Sequence, residues 1–310
     1  MKTNILGVQV DSVTQKQALD KVTDFLNSDK QHHLVTANPE IALIAWENDE
    51  FRNLINTASL VMADGIGLIW AAKFLKLPCL PVRFATRRAG RKSSNILTSL
   101  IQVIVSGISL ILYPNYCKDV LPERVAGVDF MEKICELVSS SRVDSKDGQA
   151  SKNYNRIYLL GGEEGIAEKT ATVLRKKYLN LNIVDFDQGP LVEDTRHKIH
   201  DTRYTTQDTI DKINSVKPVI LFVAFGAPKQ EYWLNENLKK MPSVKVAMGV
   251  GGAFNFISGN SKRAPQIYQD LGLEWLYRLF NEPWRAIRIF NATVKFIYTV
   301  IRFKHKINEK

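Results

Sequence analysis

The chain has 310 residues, of which 45% are hydrophobic and 24% charged, and its net charge is +10. This excludes a disordered chain and allows a large core, either one big α/β domain or a domain with an appendage. The positive excess favours anionic partners, be they nucleic acid, an anionic membrane or a phosphorylated substrate.

The cysteines Cys79, Cys117 and Cys135 lie far apart with no CxxC pair, so neither a disulfide framework nor a zinc site is expected, and a reducing cytoplasm suits the chain. Met1 to Asp11 alternates like a strand, over about Asn4 to Val10, and lacks the basic head and apolar run of a signal peptide. A helix is expected from Ser12 to Asn27, then a short strand from His33 to Thr36. Asn38 and Pro39 suit the cap and first turn of a helix continuing through Ile41 to Trp46. Leu60 to Ala63 reads as a strand ending on Asp64 and the turn Gly65-Ile66-Gly67, with a helix from Leu68 to Leu75.

The pattern then breaks. Arg83 to Lys92 is basic, and Asn95 to Tyr113 carries no charged residue, so the stretch 83–118 reads as an insertion. Order resumes at Leu121 to Phe130 with a helix to about Ser139, and a polar loop follows to Asn153. Arg156 to Leu160 reads as a strand entering Gly161-Gly162-Glu163-Glu164-Gly165, then a helix to about Tyr178 and a strand from Leu181 to Phe186. A helix over Asp208 to Val216, a strand over Val219 to Ala224, a helix over Lys229 to Lys240 and a strand over Lys245 to Val250 complete the alternation. Strand and helix in turn are the repeat of a Rossmann-like, mostly parallel sheet flanked by helices. The expected division is 1–258 for this domain and 259–310 for a helical C-terminal appendage.

Ligands of such sheets sit outside the carboxyl ends of the strands, where loops and helix N-termini offer free N–H groups. Phe225-Gly226-Ala227-Pro228-Lys229-Gln230-Glu231 is such a strand exit and suits a phosphate; a plain turn into solvated first-turn residues is the other reading. Asp64 suits a general base, because burial at a strand end raises a carboxylate's pKa where a ligand can reach it; a helix cap is the alternative. Thr36 and Asn38 offer a hydroxyl and an amide at a neighbouring strand end, to orient a substrate or only to cap a helix. Gly161 and Gly162 lack the full dinucleotide spacing, and Gly251 and Gly252 form a second glycine exit that suits either a ligand or close packing. Arg124 is a donor fork for a phosphate or carboxylate, or a surface ion pair. No HExxH, GxSxG or Walker lysine occurs, and the histidines make no convincing metal set, so no metal or cofactor is expected.

In combination, T-A-N-P-E at Thr36 to Glu40, A-D-G-I-G at Ala63 to Gly67, L-P-E-R-V-A-G-V-D at Leu121 to Asp129, G-A-P-K-Q-E at Gly226 to Glu231 and G-V-G-G-A-F at Gly249 to Phe254 resemble the WecG/TagA/CpsF family of bacterial glycosyltransferases. F-I-S-G at Phe256 to Gly259, R-A-P at Arg263 to Pro265 and G-L-E-W-L-Y-R-L at Gly272 to Leu279 extend the resemblance over nearly the whole chain. It implies inverting transfer of an N-acetylmannosamine-type sugar from a UDP donor to a polyprenyl-diphosphate-linked sugar in cell-surface polysaccharide synthesis. The setting implied is the inner face of the cytoplasmic membrane, with the protein bound peripherally and no nucleic acid partner. By position, Asp64 resembles the family's proposed base. Thr36, Asn38 and Gly65 fall on the donor side, and Arg124, Lys229, Gln230 and Glu231 with Gly161, Gly162, Gly226, Gly251 and Gly252 form candidate donor contacts. The family's usual G-G-A-F-D-F reads Gly251-Gly252-Ala253-Phe254-Asn255-Phe256 here, so a carboxylate is replaced by an amide. A catalytically inactive nucleotide-binding or membrane-scaffold protein of the same fold is the alternative, and self-association is left open.

Beyond Trp284, Ile287, Phe290, Val294, Ile297 and Ile301 recur at helical spacing, while Arg285, Arg288, Lys295 and Arg302 gather on another side. A basic amphipathic helix of this kind suits an anionic membrane surface; the alternative is a terminal helix packed on the domain. The inserted segment 95–113 approaches the ~20 residues of a spanning helix but is diluted by polar side chains, so it is expected either to touch the membrane or to pack in the core.

Overall fold

The computed structural model describes residues 1–78, 101–107, 109, 114–140, 154–190 and 205–308. The chain opens as an antiparallel hairpin, β1 (Lys2–Ile5) and β2 (Val8–Asp11), where the sequence pattern predicts one continuous strand. The chain reverses because Leu6 and Gly7 take positive φ and the Gly7 amide donates to Asn4 Oδ1 at 2.8 Å. Asp11 then accepts a hydrogen bond from Val61 N at 2.9 Å, which occupies a backbone donor on the edge of the main sheet.

That sheet has six parallel strands in the order β4 (Leu60–Ala63), β3 (His32–Ala37), β8 (Val246–Gly249), β7 (Ile220–Ala224), β5 (Arg156–Gly161), β6 (Asn182–Asp187). Alternate side chains leave opposite faces. Leu34, Leu60, Met62, Ile157, Leu159, Ile220, Phe222, Val246 and Met248 pack into one buried cluster, together with helices α1 (Gln15–Asn27), α5 (Gly127–Ser140), α6 (Ile166–Lys177) and α9 (Ala253–Ile257). Their neighbours Val35, Val61 and Ala63 face α2 (Pro39–Glu47), α3 (Asp49–Thr57) and α4 (Ile66–Lys76). Tyr158, Leu221, Val223 and Ala247 face α7 (Thr206–Val216) and α8 (Lys229–Asn237). Both faces are covered, which is why these strands read as unbroken apolar runs. Truncating a side chain such as Phe222, fully buried, removes about 3–5 kcal/mol of stability.

Helix α3 escaped the sequence reading, although Asn48 caps it by accepting from Phe51 N at 3.0 Å and Asp49 and Glu50 lie in its first turn. The helix expected over Lys229 to Lys240 ends at Asn237 and tightens into a 3-10 turn, Leu238–Lys240. Beyond Ile257 the chain forms α10 (Gln266–Asp270), α11 (Glu274–Asn281), α12 (Ala286–Phe290) and α13 (Phe296–Asn308). Phe296, Val300 and Phe303 of α13 are buried in the cluster that holds α2 and α4, whereas α11 and α12 bury no residue fully.

Of the expected insertion, 101–107, 109 and 114–118 are described. The helical stretch 101–107 buries Gln102 and Ser106 and exposes Ile101, Ile104 and Val105. It is held by Trp70 Nε1 donating to Ser106 Oγ at 2.9 Å and Lys304 Nζ donating to Gln102 Oε1 at 3.1 Å. The rest of the 95–113 segment lies outside the described residues, as does most of the polar loop expected over Ser140 to Asn153. Among the described residues no helix is long and apolar enough to cross a membrane.

Candidate active site

The carboxyl ends of the parallel strands form one edge, and the motifs collect along it. At its β4 end, β3 runs into Asn38, whose Oδ1 caps α2 by accepting from Ile41 N at 2.9 Å. Asp64 follows β4 directly and donates its backbone N–H to Ala37 O at 2.7 Å. A Cβ on Gly65 would stand 2.7 Å from Pro39 Cδ, so only glycine lets these two loops close on each other. The Leu121 to Asp129 segment arrives through Val125 N donating to Ala63 O at 2.8 Å. It sets Gly127 where a Cβ would be 3.1 Å from Thr36 Oγ1 and 3.3 Å from Asp64 Oδ2. Thr36, Asp64 and Gly127, from three separated motifs, thus meet at one point.

Asp64 is half-buried. Loss of water raises its pKa from 3.8 to about 7, against a Gly127 amide hydrogen bond and the Arg124 charge, with Glu274 and Asp129 adding to the rise. A carboxyl balanced near neutrality at a strand end can take up and release a proton.

Around it runs a charge network that ties the C-terminal helices to the sheet. Arg124 Nη1 donates to Glu274 Oε2 at 2.9 Å, Arg263 Nε lies 3.6 Å from Glu274 Oε1, and Arg263 forks both oxygens of Asp129. Arg124 therefore already holds a carboxylate. Gly272 comes so close to Ile66 that a Cβ would be 2.8 Å away, and Phe296 packs beside Gly67. Arg278 is the residue the sequence left without a role. Its guanidinium lies 4.8 Å over the Phe256 ring and makes no hydrogen bond or ion pair with any described residue. Burial lowers its pKa, opposed by the carboxylates of Glu274, Glu282 and Asp64. The motif around it was visible, but nothing in sequence spacing says that this arginine comes within electrostatic reach of Asp64.

Toward the other end, β5 leads to β6 at the edge while β7 leads back to β8. The helix after β5 lies on one face and the helix after β7 on the other. A crevice opens where such connections diverge. Gly161 and Gly162 line it; a Cβ on Gly161 would stand 2.9 Å from the Ala224 carbonyl carbon, and Gly162 N donates to Ala224 O at 3.2 Å. Gly226 and Gly251, both at positive φ, have nothing within 4 Å of where a Cβ would be. Gly252 precedes α9, and Lys229 stands half-buried at the first turn of α8. From β4 to β7 is three strand spacings, about 14 Å, a span suited to an extended nucleoside diphosphate sugar.

Gln230 and Glu231 are buried behind this wall. Gln230 Oε1 accepts from Gly226 N at 3.1 Å and Gly251 N at 2.9 Å, and its Nε2 donates to Glu231 Oε1 at 2.8 Å. Burial raises the Glu231 pKa to about 7, opposed by the Gln230 hydrogen bond. Asn255, standing where the resemblance expects a carboxylate, accepts on Oδ1 from Asn260 Nδ2 at 3.3 Å and so joins the turn after α9. The basic residues of the C-terminal segment are engaged. Arg285 pairs with Glu282, Arg288 with Glu40 at 2.6 Å and Lys295 with Glu47 at 2.8 Å, and Arg302 lies over the Tyr298 ring. Among the described residues no group of three or more His, Cys, Asp or Glu is placed to hold a metal.

Comparison with known proteins gives the family to which the chain is similar. The family model described as "Glycosyl transferase WecG/TagA/CpsF family" matches residues 3–89 and 87–310, the two matches meeting inside the expected insertion. A Staphylococcus aureus (strain MRSA252) protein named N-acetylglucosaminyldiphosphoundecaprenol N-acetyl-beta-D-mannosaminyltransferase is 27% identical over 310 residues, 99% of this chain and 95% of the relative. Its counterpart in strain MW2 is 26% identical over the same shares. With motifs from end to end of the chain gathered on one sheet edge and the family model covering nearly all of it, the chain belongs to the WecG/TagA/CpsF family of glycosyl transferases.

Proposed function

We propose that this protein transfers an N-acetylmannosamine-type sugar from a UDP donor to a polyprenyl-diphosphate-linked N-acetylglucosamine, with inversion at the anomeric carbon. The observation that carries the reading is Asp64: a half-buried carboxyl with its pKa raised to about 7, set against Thr36 and Gly127 at the end of β4. In the reaction the acceptor hydroxyl oxygen attacks the anomeric carbon as its proton passes to Asp64. The bond from that carbon to the phosphate oxygen breaks, and its electron pair leaves with UDP. Such a base contributes typically ~10²–10⁴-fold to rate.

The diphosphate charge falls to Arg278 and Lys229, while the glycines of the crevice, lacking side chains, let the diphosphate come close to the backbone. Thr36 and Asn38 orient the sugar, with Gly65 keeping their loop against the Asp64 loop. Arg124 acts by holding Glu274, and through it the C-terminal helices, over the site. This reading needs no metal, so turnover should persist in excess chelator.

The acceptor is a lipid, which calls for a membrane-facing surface. The segment 284–298 offers one, because Trp284, Ile287, Phe290, Val294 and Tyr298 are exposed at helical spacing while Arg288 and Lys295 reach back to Glu40 and Glu47. That surface and the net charge of +10 support the reading of a protein bound peripherally at the inner face of the cytoplasmic membrane.

The test is UDP release from a UDP-sugar with a lipid-linked N-acetylglucosamine acceptor. The reading expects turnover in the intact protein and a loss of about 10²-fold or more in Asp64→Asn. UDP-sugar binding without turnover would identify the inactive scaffold instead.

A further inference from the structure

Gln230 and Glu231 stand where a donor-binding motif would place substrate contacts, yet both are buried and face protein. The Gln230 carboxamide works in only one orientation. Its oxygen must face the Gly226 and Gly251 amides, which are both donors, and a flipped amide would set its NH₂ against them. Glu231 holds the other end of the amide in the same orientation, its Oε1 accepting from Nε2. The side chain of Gln230 reaches this position across the end of β8, where a Cβ on Gly249 would lie 2.5 Å from Nε2. The other Glu231 oxygen, Oε2, is buried with no hydrogen-bond partner. A buried carboxyl so poorly satisfied is costly to keep, and among the described residues the side chain it bonds is Gln230.

We infer that Glu231 is a positioning residue: by fixing the Gln230 amide it ties the Gly226 and Gly251 loops side by side into one wall, against which the donor would lie. This rests on the UDP-sugar reading for its ligand and on the hydrogen-bond geometry for its mechanism. The two loops come from different strands, β7 and β8, and Gln230 Oε1 is the atom that accepts from both. Small changes in such a wall are felt at the reacting centre, where about 1 Å of misplacement can cost about 10²-fold in rate.

The test is an exchange of the pair in the full-length protein. Gln230→Glu alone sets two carboxyl groups against each other. Gln230→Glu with Glu231→Gln restores the bond with its direction reversed, since the new glutamate still accepts from both glycine amides and the new glutamine donates back to it. Two quantities are read, with circular dichroism and thermal melting as a check on folding: hydrogen exchange at the Gly226 and Gly251 amides without ligand, and calorimetric UDP affinity with donor KM and kcat. Gln230→Glu should speed both amides and weaken UDP binding and donor KM by about tenfold or more. The double exchange should restore protection and return UDP affinity to within about threefold of the parent. If Gln230→Glu does not fold, Glu231→Met replaces it and the double exchange is compared with that variant. A folded double exchange no better than the single change, or glycine amides indifferent to position 231, would overturn the inference. Parent protein that binds neither UDP nor a UDP-sugar would overturn the donor reading, while the amide exchange would still decide the positioning role.

Discussion

Asp64 is kept out of water by the contacts that hold it within reach of a ligand, and this couples its chemistry to stability. Its folded-state pKa lies near 7 against an ordinary 3.8, so the folded protein holds this proton more tightly than the unfolded chain. The destabilisation therefore sets in above pH ~4, grows until pH ~7 and stays constant beyond. A rise of that size corresponds to at most about 4 kcal/mol, and partial solvent access brings the expectation nearer 2. Asp64→Asn should accordingly melt higher than the parent at pH 8, with the difference vanishing near pH 4, while being inactive. With Asp64 as the proposed base, the same ionisation would govern rate, because only the carboxylate accepts a proton. kcat/KM should climb through pH 7 to a plateau in the parent, and a pH-independent profile below 7 would remove Asp64 as the base. Gly127→Ala probes the same point sterically. Its Cβ would press on Thr36 Oγ1 at 3.1 Å and Asp64 Oδ2 at 3.3 Å, so kcat should fall about tenfold with the melting temperature nearly unchanged.

At the scale of elements, the strands and the helices between them were legible because a parallel sheet covered on both faces writes itself as short apolar runs separated by turn residues. The meeting of Thr36, Asn38 and Asp64 was legible for a related reason, since Thr36 lies at the end of β3, Asn38 follows it and Asp64 follows β4, and parallel strands send their ends to one edge. The first hairpin was not, because its turn uses a leucine at φ 54, a conformation that no residue type advertises except glycine. Partnerships of long reach were invisible as well. Arg124 finds Glu274 at a separation of 150 residues, and spacing cannot say that its fork is occupied. Arg278 was hidden for the complementary reason, as its want of a partner exists only in three dimensions. Arg278→Ala should therefore lower kcat by about 10²-fold with little change in stability, since no ion pair within the described protein is lost. Arg278→Lys should recover only part, because a lysine keeps the charge but not the planar fork. Single-turnover kinetics of UDP release measure both.

For the molecule as a whole, the question is how a sheet-edge site meets a substrate buried by its lipid tail. The C-terminal helices answer to both sides. With Arg263 just before them, they carry Glu274 and Arg278 toward the Asp64 end of the sheet, and on the other side they expose Trp284 at 75%, Ile287 at 78% and Phe290 at 56%. Arg288 and Lys295, interleaved with this ridge, are turned to Glu40 and Glu47, so apolar insertion rather than contact by those charges should dominate adhesion. Burying such side chains is worth about 1.5–3 kcal/mol each, and changing all three to serine should weaken binding to anionic vesicles by at least about 10²-fold. Reversing Arg288 and Lys295 to glutamate should weaken it less at physiological salt, and should loosen the C-terminal helices from α2 instead. Vesicle co-sedimentation separates the two, and turnover of a short-chain acceptor in solution separates adhesion from chemistry. The ridge variant should keep that activity, whereas the charge-reversed one should lose part of it, because Glu40 sits two residues from Asn38 and loosened C-terminal helices would no longer hold Arg278 within electrostatic reach of Asp64.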